Sequence, residues 1–126
     1  MDAPEPSPHM QRGRAGEEYA CSFLSERGYR IISRNWRHRH LEVDIVAQYK
    51  QTLIFAEVKT RQSGSLVEPW RAVDHNKQNH LIRAANAYLR REQMQLEVRF
   101  DIISVLLNGS QVQIEHITNA FQPRFR

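Results

Sequence analysis

The sequence predicts an α/β protein with a mixed five-stranded sheet and one helix on each face. Two observations support this prediction. The elements follow in the order helix, three strands, helix, two strands, and the central strand pair carries apolar residues on both faces. Both faces of such a sheet need a cover, which the two helices can provide. The long helix between the third and fourth strands is typical of a crossover joining parallel strands.

The first helix is predicted over residues 14–27, where Gly28 provides a left-handed stop. At helical spacing its apolar stripe consists of Gly16, Tyr19, Ala20, Phe23 and Leu24. A strand is predicted over 29–36, and a β-hairpin over 41–49 and 52–59. Residues 60–65 are predicted to form a loop and 68–73 a short helical turn.

The second helix is predicted over residues 76–91, capped by Asp74 or Asn76. Its core positions are Leu81, Ile82, Ala85, Tyr88 and Leu89. A strand buried on both faces follows over 98–107, and Asn108-Gly109 predicts a hairpin turn into a last strand over 111–117. Asp101 interrupts the buried strand, and we expect a structural partner for it.

Composition predicts one compact domain. The chain has 126 residues, a formal net charge of +4 and a single cysteine, which excludes a disulfide framework. Residues 1–12 contain three prolines and are predicted to be a flexible lead-in, 13–121 a single domain and 122–126 a tail. We expect a cytoplasmic protein, because no stretch is typical of a signal peptide or membrane span. The basic balance favours a polyanionic partner.

The hairpin carries the strongest functional signal. A loop centred between Lys50 and Gln51 makes the numbers of paired residues add to 101, which places Asp44 opposite Glu57 and Glu42 opposite Lys59. Alternation puts these four charges on one face, with Val46, Gln48, Leu53 and Phe55. The other face is predicted to be entirely apolar, with Val43, Ile45, Ala47, Ile54, Ala56 and Val58.

Two facing carboxylates beside a lysine are costly to bury, and a divalent cation would remove their repulsion. The pattern of an Asp followed thirteen positions later by Glu-x-Lys also resembles the PD-(D/E)xK nuclease motif, although no proline precedes Asp44. The alternative is purely structural. Glu42 and Lys59 would then form a surface ion pair, Asp44 would bind backbone amides, and Glu57 would bind an arginine.

Further candidate residues lie outside the hairpin. Glu17 falls at the margin of the first helix's apolar stripe, where it either looks toward the sheet or complements the helix dipole. Arg34, Arg37 and Arg39 belong to the densest basic segment, which either contacts phosphates or forms a solvated turn. Lys77 lies in the first turn of the second helix, where it could reach a substrate or simply be exposed.

The chain resembles the YraN-like family of small uncharacterised bacterial proteins over nearly everything after Arg12. The motifs that carry this resemblance are Gly13-Arg14-x-Gly16-Glu17-Glu18, Gly28-Tyr29-Arg30-Ile31, Arg34-Asn35-Trp36-Arg37, Glu42-Val43-Asp44-Ile45-Val46-Ala47, Glu57-Val58-Lys59-Thr60-Arg61, Lys77-Gln78, Arg99-Phe100-Asp101 and Ile114-Glu115-His116-Ile117-x-Asn119-Ala120-Phe121. One position departs from the family, because Leu41 stands where it usually has glycine.

The resemblance implies a restriction-endonuclease-like fold that is similar to archaeal Holliday-junction resolvases. By that similarity the catalytic residues would be Glu17, Asp44, Glu57 and Lys59. For phosphodiester hydrolysis we expect Asp44, Glu57 and the Val58 carbonyl to hold Mg²⁺ or Mn²⁺. Lys59 would orient the attacking water or stabilise the transition state, Glu17 would position a metal-bound water or a second cation, and Glu42 would support Lys59.

The expected activity is a metal-dependent nuclease that acts on DNA, with Arg34, Arg37, Arg39 and Lys77 contacting its backbone. The substrate stays open, since branched DNA, single strands, nicked duplex and RNA all fit. A junction-cutting enzyme would need two symmetric sites and therefore a homodimer. Two alternatives remain: a nucleic-acid-binding accessory module with an unused site, and an interaction protein whose charges are only structural.

Overall fold

The computed structural model describes residues 8–62 and 74–123 and confirms the predicted fold class. Its elements are α1 (Pro8–Glu26), β1 (Arg30–His38), β2 (Leu41–Tyr49), β3 (Thr52–Gln62), α2 (His75–Glu92), β4 (Glu97–Asn108) and β5 (Gln111–Phe121). The five strands form one sheet in sequence order. Strands β3 and β4 pair in parallel and the other neighbours antiparallel, so α2 is the predicted crossover.

The core consists of two layers, one on each face of the sheet. On one face α1 packs Ala20, Cys21 and Leu24 against the sheet, and on the other α2 packs Leu81, Ala84, Ala85 and Tyr88 against it. Two predicted core positions need correction. Tyr19 is 44% exposed, whereas Cys21, outside the predicted stripe, is buried. The buried stripe of α1 is therefore rotated away from Tyr19.

Several element ends differ from the predictions. Helix α1 begins at Pro8 rather than at residue 14, since proline is well tolerated at a first helical position. Strand β3 continues to Gln62 because 60–62 pair with β4, which corrects the loop predicted from residue 60, and 63–65 lie outside the described residues. Strand β5 continues to Phe121, which stacks on Phe100. The predicted helical turn at 68–73 lies outside the described residues.

All three hairpin turns contain a left-handed residue, which in the β2–β3 turn is Lys50, with φ of 54°. In the β4–β5 turn Asn108 pairs with Gln111, so the two turn residues are Gly109 and Ser110 rather than Asn108 and Gly109. In the β1–β2 turn the left-handed residue is Arg39, with φ of 57°. Leu41 is a strand residue paired with His38, and its φ is not positive, so its backbone conformation does not require glycine.

Asp101 has the structural partners expected for a buried acid. Its side chain accepts two hydrogen bonds from Arg99, at 2.9 and 2.8 Å, and one from the Asn119 backbone N–H at 3.0 Å. The His116 ring nitrogen Nε2 lies 2.7 Å from the same carboxylate. Burial favours the neutral acid, but the bonds from His116 and Arg99 outweigh it and lower the pKa of Asp101. This network ties β4 to the last strand.

Neither α1 nor α2 has the length and hydropathy of a membrane-spanning segment.

Candidate active site

The site lies where β2 and β3 separate. Their pairs follow the predicted register from Tyr49–Thr52 to Ile45–Ala56, where they end one pair short of Asp44 and Glu57. Beyond that point the pairs of β2 are with β1 and those of β3 are with β4. The predicted direct pairing of Asp44 with Glu57 is therefore replaced by a fork, which the two carboxylates flank.

Asp44 fills this fork with its side chain. The backbone N–H of Val58 donates to Asp44 Oδ2 at 2.8 Å, so the carboxylate takes the place that a backbone carbonyl would have in a continuous ladder. The N–H and C=O of one strand residue point to the same edge of the strand. The Val58 carbonyl therefore faces the side on which Asp44 lies, as a third oxygen beside the two carboxylates.

The alternation of faces also breaks at the fork. Ile45 packs in the α1 layer but Val43 packs in the α2 layer, which corrects the prediction that both lie on one entirely apolar face. On the neighbouring strand Asn35 has φ of 52°, a left-handed conformation, between the pairs Arg34–Ile45 and Trp36–Val43. This local change in backbone geometry turns the end of the hairpin relative to the sheet.

The two carboxylates interact unfavourably. Burial, reinforced by the negative charge of Glu57, raises the pKa of Asp44 to about 7, and the Val58 N–H offsets only part of this. Glu57 is 6% exposed. A proton shared at this site is one way to relieve the repulsion, and a cation is another.

Two lysines meet the same oxygen of Glu57. Lys59 Nζ lies 3.5 Å from Glu57 Oε1, and Lys77 Nζ, from the first turn of α2, lies 3.2 Å from it. Burial opposes the charge of Lys77, but the Glu57 carboxylate outweighs it and raises the pKa of Lys77. Asp74 caps α2 by accepting the Lys77 backbone N–H at 2.9 Å, which fixes where that turn begins.

Glu17 reaches the site because α1 approaches β3 closely. A Cβ atom on Gly16 would clash with the Thr60 hydroxyl, so only glycine permits this approach. The Glu17 carboxylate accepts a hydrogen bond from the Asn35 side-chain amide at 2.9 Å and adds to the negative field around Asp44. The structure thus brings Asp44, Glu57 and Lys59 together at the fork and places Glu17 near enough for its charge to act on Asp44.

Glu42 does not support Lys59, which corrects the sequence prediction. Because the β2–β3 pairs end before it, Glu42 pairs across β1–β2 with Arg37, whose Nε lies 3.5 Å from the Glu42 carboxylate. The Glu42 backbone N–H donates to His80 Nε2 of α2 at 3.3 Å. Glu42 therefore connects the β1–β2 hairpin to α2.

The predicted phosphate-contacting residues are not gathered in one patch. Arg34 forms an ion pair with Glu18 of α1 at 2.8 Å, on the α1 side of the sheet. Arg37 is bound to Glu42, Arg39 is exposed in the β1–β2 turn, and only Lys77 belongs to the fork.

Sequence reasoning missed Asn35 and Arg61. The sequence around Asn35 has a strand pattern, which does not predict a left-handed residue. The one available signal is that asparagine adopts this conformation more readily than most residues. Arg61 follows Glu57 by four positions and Lys59 by two, so strand alternation places all three side chains on the same face of β3. Its Nε is buried, with no hydrogen-bond partner in the described part of the chain.

The donor set fits a hard divalent cation. Asp44, Glu57 and the Val58 carbonyl offer oxygen ligands, and Mg²⁺ commonly binds one or two carboxylates while retaining waters. Within residues 8–62 and 74–123 no three His, Cys, Asp or Glu side chains converge as a site for Zn²⁺ or another cation held by protein alone.

Comparisons with known proteins find one family. The model of the uncharacterised protein family UPF0102 matches residues 16–105. A UPF0102 protein of Bacteroides thetaiotaomicron is 44% identical over 91% of this chain and 95% of its own length. One of Chlorobium phaeobacteroides is 48% identical over 86% of this chain and 92% of its own length, and one of Flavobacterium johnsoniae is 40% identical over 90% and 95%.

Proposed function

Because the chain belongs to the uncharacterised family UPF0102, as its resemblance to YraN-like proteins predicted, we propose a function from the site itself: metal-dependent hydrolysis of phosphodiester bonds in DNA. The observation that carries the proposal is the fork, where Asp44 and Glu57 lie together beside Lys59 and Lys77. Such a site holds negative charge for a cation and positive charge for a phosphate side by side.

Asp44, Glu57 and the Val58 carbonyl would hold Mg²⁺ or Mn²⁺. The bound ion would supply charge stabilisation at a phosphate oxygen and lower the pKa of water. Lys59 is tethered to Glu57 and only 26% of its side chain is exposed, so its ammonium is positioned to donate to the attacking water or to a non-bridging oxygen. Asn35 holds Glu17 so that its free oxygen can accept a hydrogen bond from water.

The hydrolysis forms one bond to phosphorus and breaks another. The water oxygen forms a bond to phosphorus, the bond from phosphorus to the leaving sugar oxygen breaks, and one water proton passes to a base. Glu17, held by Asn35 with its second oxygen facing outward, suits that last role, because Asp44 would be bound to the cation. The sugar oxygen takes a proton from solvent.

A second candidate function has one observation in its favour. Lys59 and Lys77 already neutralise Glu57 through their ammonium groups, so the fork can persist with no cation. A nucleic-acid-binding accessory module on the same fold would need only this basic surface. The two functions separate on cleavage, since both bind nucleic acid.

The test compares cleavage by three proteins. Parent, Glu57→Gln and Glu42→Gln are incubated with branched, nicked and single-stranded DNA and with RNA, in Mg²⁺ or Mn²⁺. Glu42→Gln is the matched control, since it removes a hairpin acid that pairs with Arg37 outside the fork. We expect cleavage by parent and control and a loss of roughly a hundredfold in Glu57→Gln. A parent that cuts nothing, or equal cutting by all three, overturns the proposal.

A further inference from the structure

The two helices that flank the sheet differ in charge. Helix α2 carries Lys77, Arg83, Arg90 and Arg91 against the single acid Glu92, a net charge of +3 with its histidines neutral. The side chains described for α1 include three acids, Glu17, Glu18 and Glu26, and one base, Arg14. A polyanion that approaches the fork is therefore attracted from the α2 side.

The basic residues of α2 lie on one half of the helix surface. The buried positions Leu81, Ala84, Ala85 and Tyr88 mark the side that faces the sheet. At 100° per residue, His80 and Arg91 fall about 70–90° from the centre of the buried positions, on the flank that adjoins the β1–β2 hairpin. Arg83 and Arg90 fall about 150–170° from that centre, toward solvent, and Lys77 falls among the buried positions. All five therefore lie on the same half of the helix. We call these five residues the α2 stripe.

Three contacts place this flank beside the hairpin. The His80 and His40 rings are 6.4 Å apart, and His80 accepts the Glu42 backbone N–H. Farther along the helix Arg91 Nη1 lies 3.5 Å from His38 Nδ1. A shallow depression of about 320 Å³ lies there, lined by His38, Ala87, Arg90 and Arg91. Arg90 and Arg91 give this depression a positive charge, which suits an anion.

The stripe begins in the fork itself. Lys77 contacts Glu57 at 3.2 Å, and Arg91 lies fourteen residues farther along the same helix. At 1.5 Å per residue the stripe is about 21 Å long. This length corresponds to about six nucleotides of a B-form strand at 3.4 Å each. A row of four cations, Lys77, Arg83, Arg90 and Arg91, that starts at a phosphodiesterase site suits the substrate strand on one side of the cleaved bond.

We propose that the α2 stripe is the binding track for the nucleic-acid backbone, which runs from the fork along α2 to the depression at the end of the β1–β2 hairpin. The choice of nucleic acid as the ligand rests on the proposed function. The inference adds the direction in which the substrate extends from the fork. The substrate extends about six nucleotides from the scissile phosphate along α2, on one side of that phosphate. The α1 side makes no comparable contact.

The experiment measures the affinity for DNA as a function of salt in EDTA, where no cleavage occurs. The probe is a short fluorescently labelled DNA, single-stranded in one arm and duplex in the other. The test variant is Arg83→Gln, Arg90→Gln, which changes two exposed arginines of the stripe. The matched control is Arg27→Gln, Lys50→Gln, which removes the same charge from the end of α1 and from the β2–β3 turn. Each lost phosphate contact flattens the slope of log affinity against log salt by about 0.9 for duplex and 0.7 for a single strand.

If the α2 stripe is the track, the slope of log affinity against log salt should be flatter by about one to two units in Arg83→Gln, Arg90→Gln than in the parent, with single-stranded DNA, duplex DNA or both. The control variant should have the same slope as the parent. Equal losses in both variants show an effect of net charge alone and overturn the track, as does no loss in either. A parent that binds no DNA overturns the track and the proposed function together. A parent that binds along the stripe but never cleaves with metal overturns hydrolysis alone.

Discussion

The backbone N–H of Val58 donates to the carboxylate of Asp44 at 2.8 Å, across the point where their strands stop pairing. One side chain thereby completes the sheet and faces a second carboxylate, Glu57. The bond from Val58 favours the charged form of Asp44, while burial and Glu57 oppose it more strongly. The protein holds this acid in a position that costs stability near neutral pH, and a cation would recover that cost.

The first prediction concerns stability against pH. The pKa of Asp44 is about 7 in the folded protein, whereas the ordinary value for an aspartate, expected in the unfolded chain, is 3.8. Between about pH 4 and pH 7 the folded protein therefore keeps a proton on Asp44 that the unfolded chain has already released. Stability from this group is therefore present below about pH 4 and lost as pH rises through 7. Asp44→Asn keeps an oxygen for the Val58 N–H and removes this dependence. Relative to parent it should gain on the order of 2–4 kcal/mol between pH 4 and pH 8.

Denaturant unfolding in EDTA at a series of pH values measures this difference. Glu42→Gln serves as the control, because it changes an exposed acid on the same strand and should follow the parent. Parallel stability curves for parent and Asp44→Asn would mean that Asp44 is ionised in the folded protein throughout this range.

The second prediction separates two roles of Asn35, its left-handed backbone and its bond to Glu17. Asn35→Gly keeps the backbone conformation at little cost and loses the amide, whereas Asn35→Ala loses the amide and strains the backbone. The alanine variant should unfold with about 1–2 kcal/mol less free energy than the glycine variant. If Glu17 needs its amide partner, DNA cleavage should fall to the same extent in both once folding is matched.

Chemical denaturation and cleavage assays on the two variants test this prediction. Full cleavage by Asn35→Gly would show that Glu17 needs no positioning, and equal stability of the two variants would show that the backbone at residue 35 relaxes.

Much of this architecture could be predicted from sequence, because it depends on periodicity. The hairpin register at Ile45–Ala56 follows from the position of the polar break, and the parallel crossover follows from the order of the elements. The fork could not be predicted, since a strand pattern does not reveal where pairing stops. Without the fork, strand alternation pairs Glu42 with Lys59 rather than Arg37 and places Val43 on the same face as Ile45.

The sequence predicts which residues belong to the candidate site, but it does not predict the contacts between them. A motif and a family resemblance predict four catalytic residues, Glu17, Asp44, Glu57 and Lys59. The structure brings the last three together at the fork and places Glu17 near Asp44. Lys77 was predicted only as a phosphate contact. Its ion pair with Glu57 depends on where α2 starts relative to β3, which is a long-range relationship that local sequence does not specify.

The central claim is that the fork binds a divalent cation through Asp44 and Glu57, and thermal unfolding with and without Mg²⁺ or Mn²⁺ tests it most directly. A ligand of the folded state stabilises by mass action, about 2.7 kcal/mol at a hundred times the dissociation constant. We predict a rise in the parent's melting temperature with metal, the same rise in Glu42→Gln, and no rise in the double variant Asp44→Ala, Glu57→Ala. A folded double variant with an unchanged metal-induced rise, or a parent indifferent to both metals, would contradict the account.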